Sequence, residues 1–145
     1  MNTAYRVWDG EQMHYWDEDH LSLTLKNDGS WLLWHSSGGG CVVSSDDEEA
    51  VLMKGTDQFD IWKDEQEEEA RIYARDIVQQ EETAIGSVYG PEPFIGEVKM
   101  VDGSWCIVNE KKEECRPLFS ETATNKVIGD VYQNPELLEG AECQK

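Results

Sequence analysis

Chemistry in this chain would have to come from carboxylates, thiols and imidazoles, and the carboxylates dominate. There are 31 Asp and Glu against 12 Lys and Arg, a formal charge of −19. The densest run lies within residues 46–82, where 14 acids face four bases and leave a net −10. The residues that would act there are Asp46, Asp47, Glu48, Glu49, Asp57, Asp60, Asp64, Glu65, Glu67, Glu68 and Glu69. Charge runs of this kind usually form a solvated face. Their functional use is to steer and dock a protein with a basic surface, fast and in a salt-dependent way. Carboxylates spaced along a surface would mimic DNA phosphates and occupy the basic cleft of a host defence or regulatory protein. Trp62, set in Asp-Ile-Trp-Lys-Asp, is expected to be exposed there, as an aromatic anchor of a protein contact.

Other chemistries compete with this reading. Acid–base catalysis needs paired carboxylates of unequal pKa; Asp9 and Asp76, with Arg6 and Tyr73 nearby in sequence, are the best two. Their bland role is to cap turns or to hold Arg6 or Arg75. A hard cation could draw on Asp17, Asp19 and His20, or on Asp46–Glu49, but no calcium-loop spacing, HExxH or CxxC pair is present. No metal site and no cofactor is therefore expected. Among the four Cys, at 41, 106, 115 and 143, Cys106 falls in a predicted strand, where an inert thiol is expected. Cys115, flanked by charge, is the most reactive candidate; His14, His20 and His35 supply no recognisable partner context. Six Trp could stack bases, but single-strand binders also need a basic groove, and a field this negative repels phosphate backbones. Trp8, Trp31 and Trp105 are expected in the core. Direct nucleic-acid binding is disfavoured, and an oligomeric structural role stays open.

The elements that must position these residues read as strands. Tyr5–Asp9 and Met13–Trp16 flank Gly10-Glu11, and Leu21–Leu25 alternates with period two as a half-buried strand does. Asn27-Asp28-Gly29-Ser30 predicts a hairpin to Trp31–Trp34, and Asp102-Gly103 predicts another between Phe94–Met100 and Ser104–Val108. Val51–Met53 and Ile72–Val78 are apolar islands that look like strands. The run 63–71 between them fits a short helix and a solvated loop equally well. A last strand, Lys126–Tyr132, ends at Asn134-Pro135-Glu136, where Asn134 would cap a short helix and Pro135 open it. Many short strands with turn signals predict one all-β, barrel-like domain over residues 1–145 with minor helix. No stretch reaches the length of a membrane span. The opening MNTAYRVW lacks the apolar core of a secretory signal, so reduced thiols in the host cytoplasm are expected.

Arg6, Trp8, Asp9 and Met13 near one end, and Lys126-Val-Ile-Gly129-Asp-Val-Tyr132-Gln-Asn134-Pro135-Glu-Leu-Leu138 near the other, resemble the signatures of the YopX family of small phage and prophage proteins. Leu52, Met53, Thr56, the phrase Ile72-Tyr73-x-x-Asp76-Ile77-Val78 and Gly96-Glu97-Val98 extend that resemblance over residues 5–138. It implies a compact β-rich barrel and a viral context, and it implies no reaction. Two departures stand out. Where the family usually has Glu-Gly before the middle Asp, this chain has Ala74-Arg75, which removes the glycine a tight turn there would use. Where the family has a short turn, this chain carries an acidic insertion at about 57–70, the place where a specialised surface would arise.

Overall fold

The computed structural model describes residues 4–16, 20–36, 38–60, 70–82, 93–120 and 123–138, with the side chains of 57, 60, 70 and 82 not among them. The class is all-β, built from curled antiparallel sheets. Two compact units form, Met1–Gly55 and Thr56–Lys145.

In the first unit, β1 (Tyr5–Trp8) turns back into β2 (Met13–Tyr15), with Trp8 opposite Met13. A meander follows: β3 (Leu21–Leu25), β4 (Trp31–His35) and β5 (Cys41–Ser44). The first half of β6 (Val51–Asp60) then lies antiparallel to β1, with Val7 opposite Leu52. Period two decides which side chains go in. Val7, Trp31, Leu33 and Val43 are buried together, and Leu21, Leu23, Val42, Ala50 and Leu52 pack around them. The hairpin expected at Asp28-Gly29 is present, but its loop is longer than two residues. Lys26 N–H donates to the Ser30 carbonyl (2.9 Å), Gly29 N–H donates to that of Lys26 (3.1 Å), and Gly29 sits at φ 89°. This is the three-residue loop in which glycine takes the left-handed position.

In the second unit, the remainder of β6 neighbours β7 (Ala70–Tyr73), while β8 (Asp76–Glu82), β9 (Phe94–Val101), β10 (Ser104–Asn109), β11 (Glu114–Pro117) and β12 (Ala123–Asp130) form a five-stranded sheet in the order β11-β10-β9-β8-β12. Ile72, Val78, Phe94, Val98, Ile107 and Leu118 make its core. Gly96 permits close approach of β9 and β10, since a Cβ there would lie 2.7 Å from both Ile107 Cγ2 and the Val108 carbonyl oxygen. Buried amides complete the interior. Gln80 Nε2 donates to Asn125 Oδ1 (3.0 Å) and to the Pro117 carbonyl (3.1 Å), and Asn125 Nδ2 donates to that of Leu118 (2.8 Å). These donors pair the backbone carbonyls where the chain leaves β11.

Two expectations need revision here. Ile72–Val78 is not one strand: it breaks at Ala74-Arg75 into β7 and β8, and the turn survives the missing glycine because Arg75 itself adopts φ 76°. Asp76 supports the turn by accepting the Tyr73 N–H at 2.8 Å. The strand at Cys41–Ser44 has no forecast in the sequence reading. For the run 63–71, residues 61–69 lie outside the described set, and Ala70 and Arg71 belong to β7. The Asp102-Gly103 hairpin is as expected, with both residues at positive φ, 50° and 86°. A short helix, 136–138, follows Pro135. The Asn134 side chain accepts from Asp130 N–H at 3.3 Å, reaching back to the bulged end of β12 rather than forward along the helix.

Candidate functional site

Two tight turns of the first unit bring carboxylates together. The first joins β1 to β2. Asp9 Oδ1 accepts the backbone N–H groups of Glu11 (2.7 Å) and Gln12 (2.8 Å), and Asp9 N–H donates to the Gln12 carbonyl (3.1 Å). An aspartate that binds its own backbone in this way fixes a turn without help from the core. Its other oxygen, Oδ2, lies 2.8 Å from His14 Nε2. An ionised carboxylate only accepts, so His14 carries a proton on Nε2 in this pair.

Desolvation is the largest single influence on Asp9 and pushes its pKa up. Hydrogen bonds from Gln12, His14 and Glu11 together outweigh it and hold the carboxyl below its ordinary 3.8. Asp9 is therefore an anion at neutral pH, which disqualifies it as a general acid there.

The second turn joins β5 to β6. Ser44 N–H donates to Asp47 Oδ2 (2.9 Å), Asp46 N–H to Ser44 Oγ (3.2 Å), and Asp47 N–H to the Ser44 carbonyl (3.0 Å). Ser45 Oγ accepts from Trp31 N–H at 3.1 Å, which pins the turn to β4. Asp46, Asp47, Glu48 and Glu49 are all exposed. The two turns touch at Gly10, where φ is 105° and an added Cβ would fall 2.5 Å from Glu49 Oε2. The positive φ is what favours glycine here, since the exposed end of the Glu49 side chain could move aside.

Between the turns lies an open depression of about 550 Å³ lined by Asp9, Glu11, Asp47, Glu48, Glu49, Val42 and Val43. Five of its seven lining residues are carboxylates and none is basic. Like charge of this density focuses a negative potential over a concave, partly apolar floor.

The residues singled out from the sequence divide accordingly. Asp46 flanks the depression, and Asp47, Glu48 and Glu49 line it. Asp57 and Asp60 lie on β6, with side chains outside the described set, as are Trp62, Asp64, Glu65, Glu67, Glu68 and Glu69 entirely. Asp17 and Asp19 are outside it too. Asp9 and Glu11 join the acidic set, which a linear count of charges misses because the whole β3-β4-β5 meander separates them from the second turn. The signal that could have found them is the pairing of β1 with the start of β6, which carries both turns to the same edge.

The catalytic alternative finds its residues otherwise engaged. Asp9 holds its own turn, and Asp76, which is buried, holds the Tyr73–Asp76 turn. Arg6 is buried, with NH1 donating to Tyr15 Oη at 3.4 Å and its guanidinium 5.9 Å from that ring. Among the described residues no three His, Cys, Asp or Glu side chains gather to hold a metal ion, and no helix is long and apolar enough to cross a membrane.

Known proteins match this architecture over nearly its whole length. The family described as YopX protein matches residues 4–139. The SPbeta prophage-derived uncharacterized protein YopX of Bacillus subtilis (strain 168) is 38% identical over 148 residues, covering 98% of this chain and 100% of the relative. The crystal structure of protein yopX from Bacillus subtilis superposes with a TM-score of 0.69 at 41% identity, covering 94% of this chain and 98% of that one. With the end signatures, the sheets and both likenesses in agreement, the chain belongs to the YopX family.

Proposed function

We propose that this protein is a non-enzymatic phage or prophage accessory protein that binds a basic protein through the acidic face of its first unit. The observation that carries the reading is the depression in which Asp9, Glu11, Asp47, Glu48 and Glu49 meet over Val42 and Val43 without a single base. Its volume suits inserted Lys or Arg side chains, with their aliphatic stems against the valines and their charged heads among the carboxylates. Hydrogen bonds within the turns hold the Asp9 and Asp47 carboxylates in place before binding, which lowers the ordering cost of association. A prophage-derived relative supports a viral setting, and the host cytoplasm is the proposed location. In its specific form the acidic face acts as a DNA mimic, occupying the nucleic-acid cleft of a host defence or regulatory protein. The acidic stretch 57–69 would extend that face, and Trp62 would anchor it.

The experiment measures binding of an arginine-rich peptide and of a panel of basic host DNA-binding proteins to three forms at low and high salt. These are the wild type, Glu11→Gln/Glu48→Gln/Glu49→Gln, and a charge-reversed 64–69 variant. The triple variant should weaken binding at least about tenfold at low salt and flatten its salt dependence. DNA should compete with the protein for any partner found. If the triple variant binds as the wild type does, the depression is not the docking site. If both variants do, the acidic-partner reading fails.

A further inference from the structure

Outside the acidic face, the second unit carries a pair of thiols that the partner-binding reading leaves unused. Cys106 lies on β10 opposite Pro117, and Cys115 lies on β11 opposite Val108. The two cysteines are thus diagonal neighbours on one face of an antiparallel ladder, because side chains two positions apart share a face. Cys115 is exposed and Cys106 half-buried, and neither is in a disulfide. The Cys115 thiol is near enough to Cys106 to raise its pKa.

From this geometry we propose that Cys106 and Cys115 are an oxidation site: a dithiol that a hydroperoxide converts reversibly into an intramolecular disulfide clamping β11 to β10. Cys115, the accessible thiol, attacks the peroxide oxygen. The O–O bond breaks, an alcohol or water leaves, and Cys115 becomes a sulfenic acid. Cys106 then attacks the Cys115 sulfur, the S–O bond breaks, and the hydroxyl departs as water with the Cys106 proton. Two thiols and one hydroperoxide thus give one disulfide, one alcohol (or water, if the oxidant is hydrogen peroxide) and one water, with sulfur oxidised and peroxide oxygen reduced. A thiol donor reverses the bond by exchange.

Two features of the fold make closure feasible and selective. Diagonal side chains on paired strands start at about 7 Å or less between Cβ atoms, and a disulfide needs about 4 Å. One strand must therefore shift inward, and β11 is placed to do so because it is the edge strand of its sheet, with β10 as its strand neighbour there. Burial, with the neighbouring Cys115 thiol and Asp102, pushes the Cys106 thiol up to about 11. At neutral pH it is held as the thiol, so it is a poor first target and a slow resolving nucleophile. In a reducing cytoplasm the pair would stand open and close under oxidant, as transient redox-sensing disulfides do.

The full-length chain, treated with hydrogen peroxide and digested with trypsin without reduction, tests this. Lys111 and Lys112 lie between the two cysteines, so the expected product is peptide 100–111 joined to peptide 113–126. The intact protein should be about 2 Da lighter and monomeric on a non-reducing gel. Dithiothreitol should restore both peptides. Loading Cys115 with thionitrobenzoate in a Cys41→Ser/Cys143→Ser background tests the order of events. Release of a second thionitrobenzoate by Cys106 should speed up about tenfold per pH unit from about pH 7 to about pH 9 and vanish in Cys106→Ser. Linkage of Cys115 to Cys41, to Cys143 or to another chain would overturn the proposal. So would both thiols remaining free after Cys115 has gone on to sulfinic acid, or a second release that ignores pH.

Discussion

Arg75 combines an unfavourable backbone with a favourable side chain, and the two can be separated. Its φ of 76° places an arginine where the left-handed conformation costs a non-glycine residue about 1–2 kcal/mol. Its backbone is fixed on both sides, with its N–H donating to the Val98 carbonyl (3.0 Å) and its carbonyl accepting from Val131 N–H (3.0 Å). Its guanidinium donates to Glu97 Oε2 at 2.8 Å, with side-chain exposures of 46% for Arg75 and 11% for Glu97. That hydrogen bond, with the carboxylate's charge, holds Arg75 more firmly protonated. A hydrogen bond to a charged group contributes about 1.5–3 kcal/mol, which the exposure of Arg75 reduces to about 1 kcal/mol.

Arg75→Gly therefore relaxes the backbone while leaving Glu97 with only Lys99 at 3.8 Å. The two effects nearly cancel, for a net change within about 1 kcal/mol. Arg75→Ala loses the same pair and keeps the strain, so it should be less stable than Arg75→Gly by about 1 kcal/mol, the reverse of the order expected in ordinary backbone. Urea unfolding followed by tryptophan fluorescence, with Glu97→Gln as the second arm of a double-mutant cycle, measures both quantities. Equal stability of the alanine and glycine variants would refute the backbone account. A coupling between Arg75 and Glu97 below about 0.3 kcal/mol would refute the pair.

Three further outcomes follow from the geometry. Asp9 titrates below 3.8 when folded, so its contribution is complete at neutral pH and is lost as pH falls through the folded pKa; the stability gap between wild type and Asp9→Asn should be present at neutral pH and shrink as pH falls below 3.8 in urea titrations. Gly96→Ala should cost about 1–3 kcal/mol because its methyl meets Ile107 and the Val108 backbone, whereas Gly40→Ala, with open space around it, should change thermal stability by less than about 0.5 kcal/mol. Asn125→Ala should cost about 1–3 kcal/mol in chemical denaturation, since it strips Leu118 of a buried donor and Gln80 of an acceptor.

Local chemistry carried much of the fold into the sequence. The strands at Tyr5, Leu21, Trp31, Phe94 and Ser104 were legible because alternation and Asp-Gly pairs are short-range signals, and both hairpins form where those pairs stand. The break between β7 and β8 is not marked by residue type, because Arg75 takes the left-handed position; only the family resemblance pointed to a turn there. The candidate site was half legible. Asp46–Glu49 announced themselves as a run, while Asp9 and Glu11 read as isolated residues of a different turn. Asp9 and Asp76 read as paired carboxylates, and the sequence does not show that each accepts backbone N–H groups of its own turn.

By itself, then, the sequence determined the all-β class, the family and the strongly acidic character, since composition, periodicity and ordered signatures are properties of the chain read along its length. Only the tertiary structure decided which charges act together. The ladder of β1 with β6 sets the Asp9–Gln12 turn beside the Ser44–Ala50 turn, and the ladder of β10 with β11 sets two thiols diagonal to one another. Electrostatic focusing and thiol exchange depend on distances of a few ångströms, and between residues remote in sequence those distances are fixed by strand register.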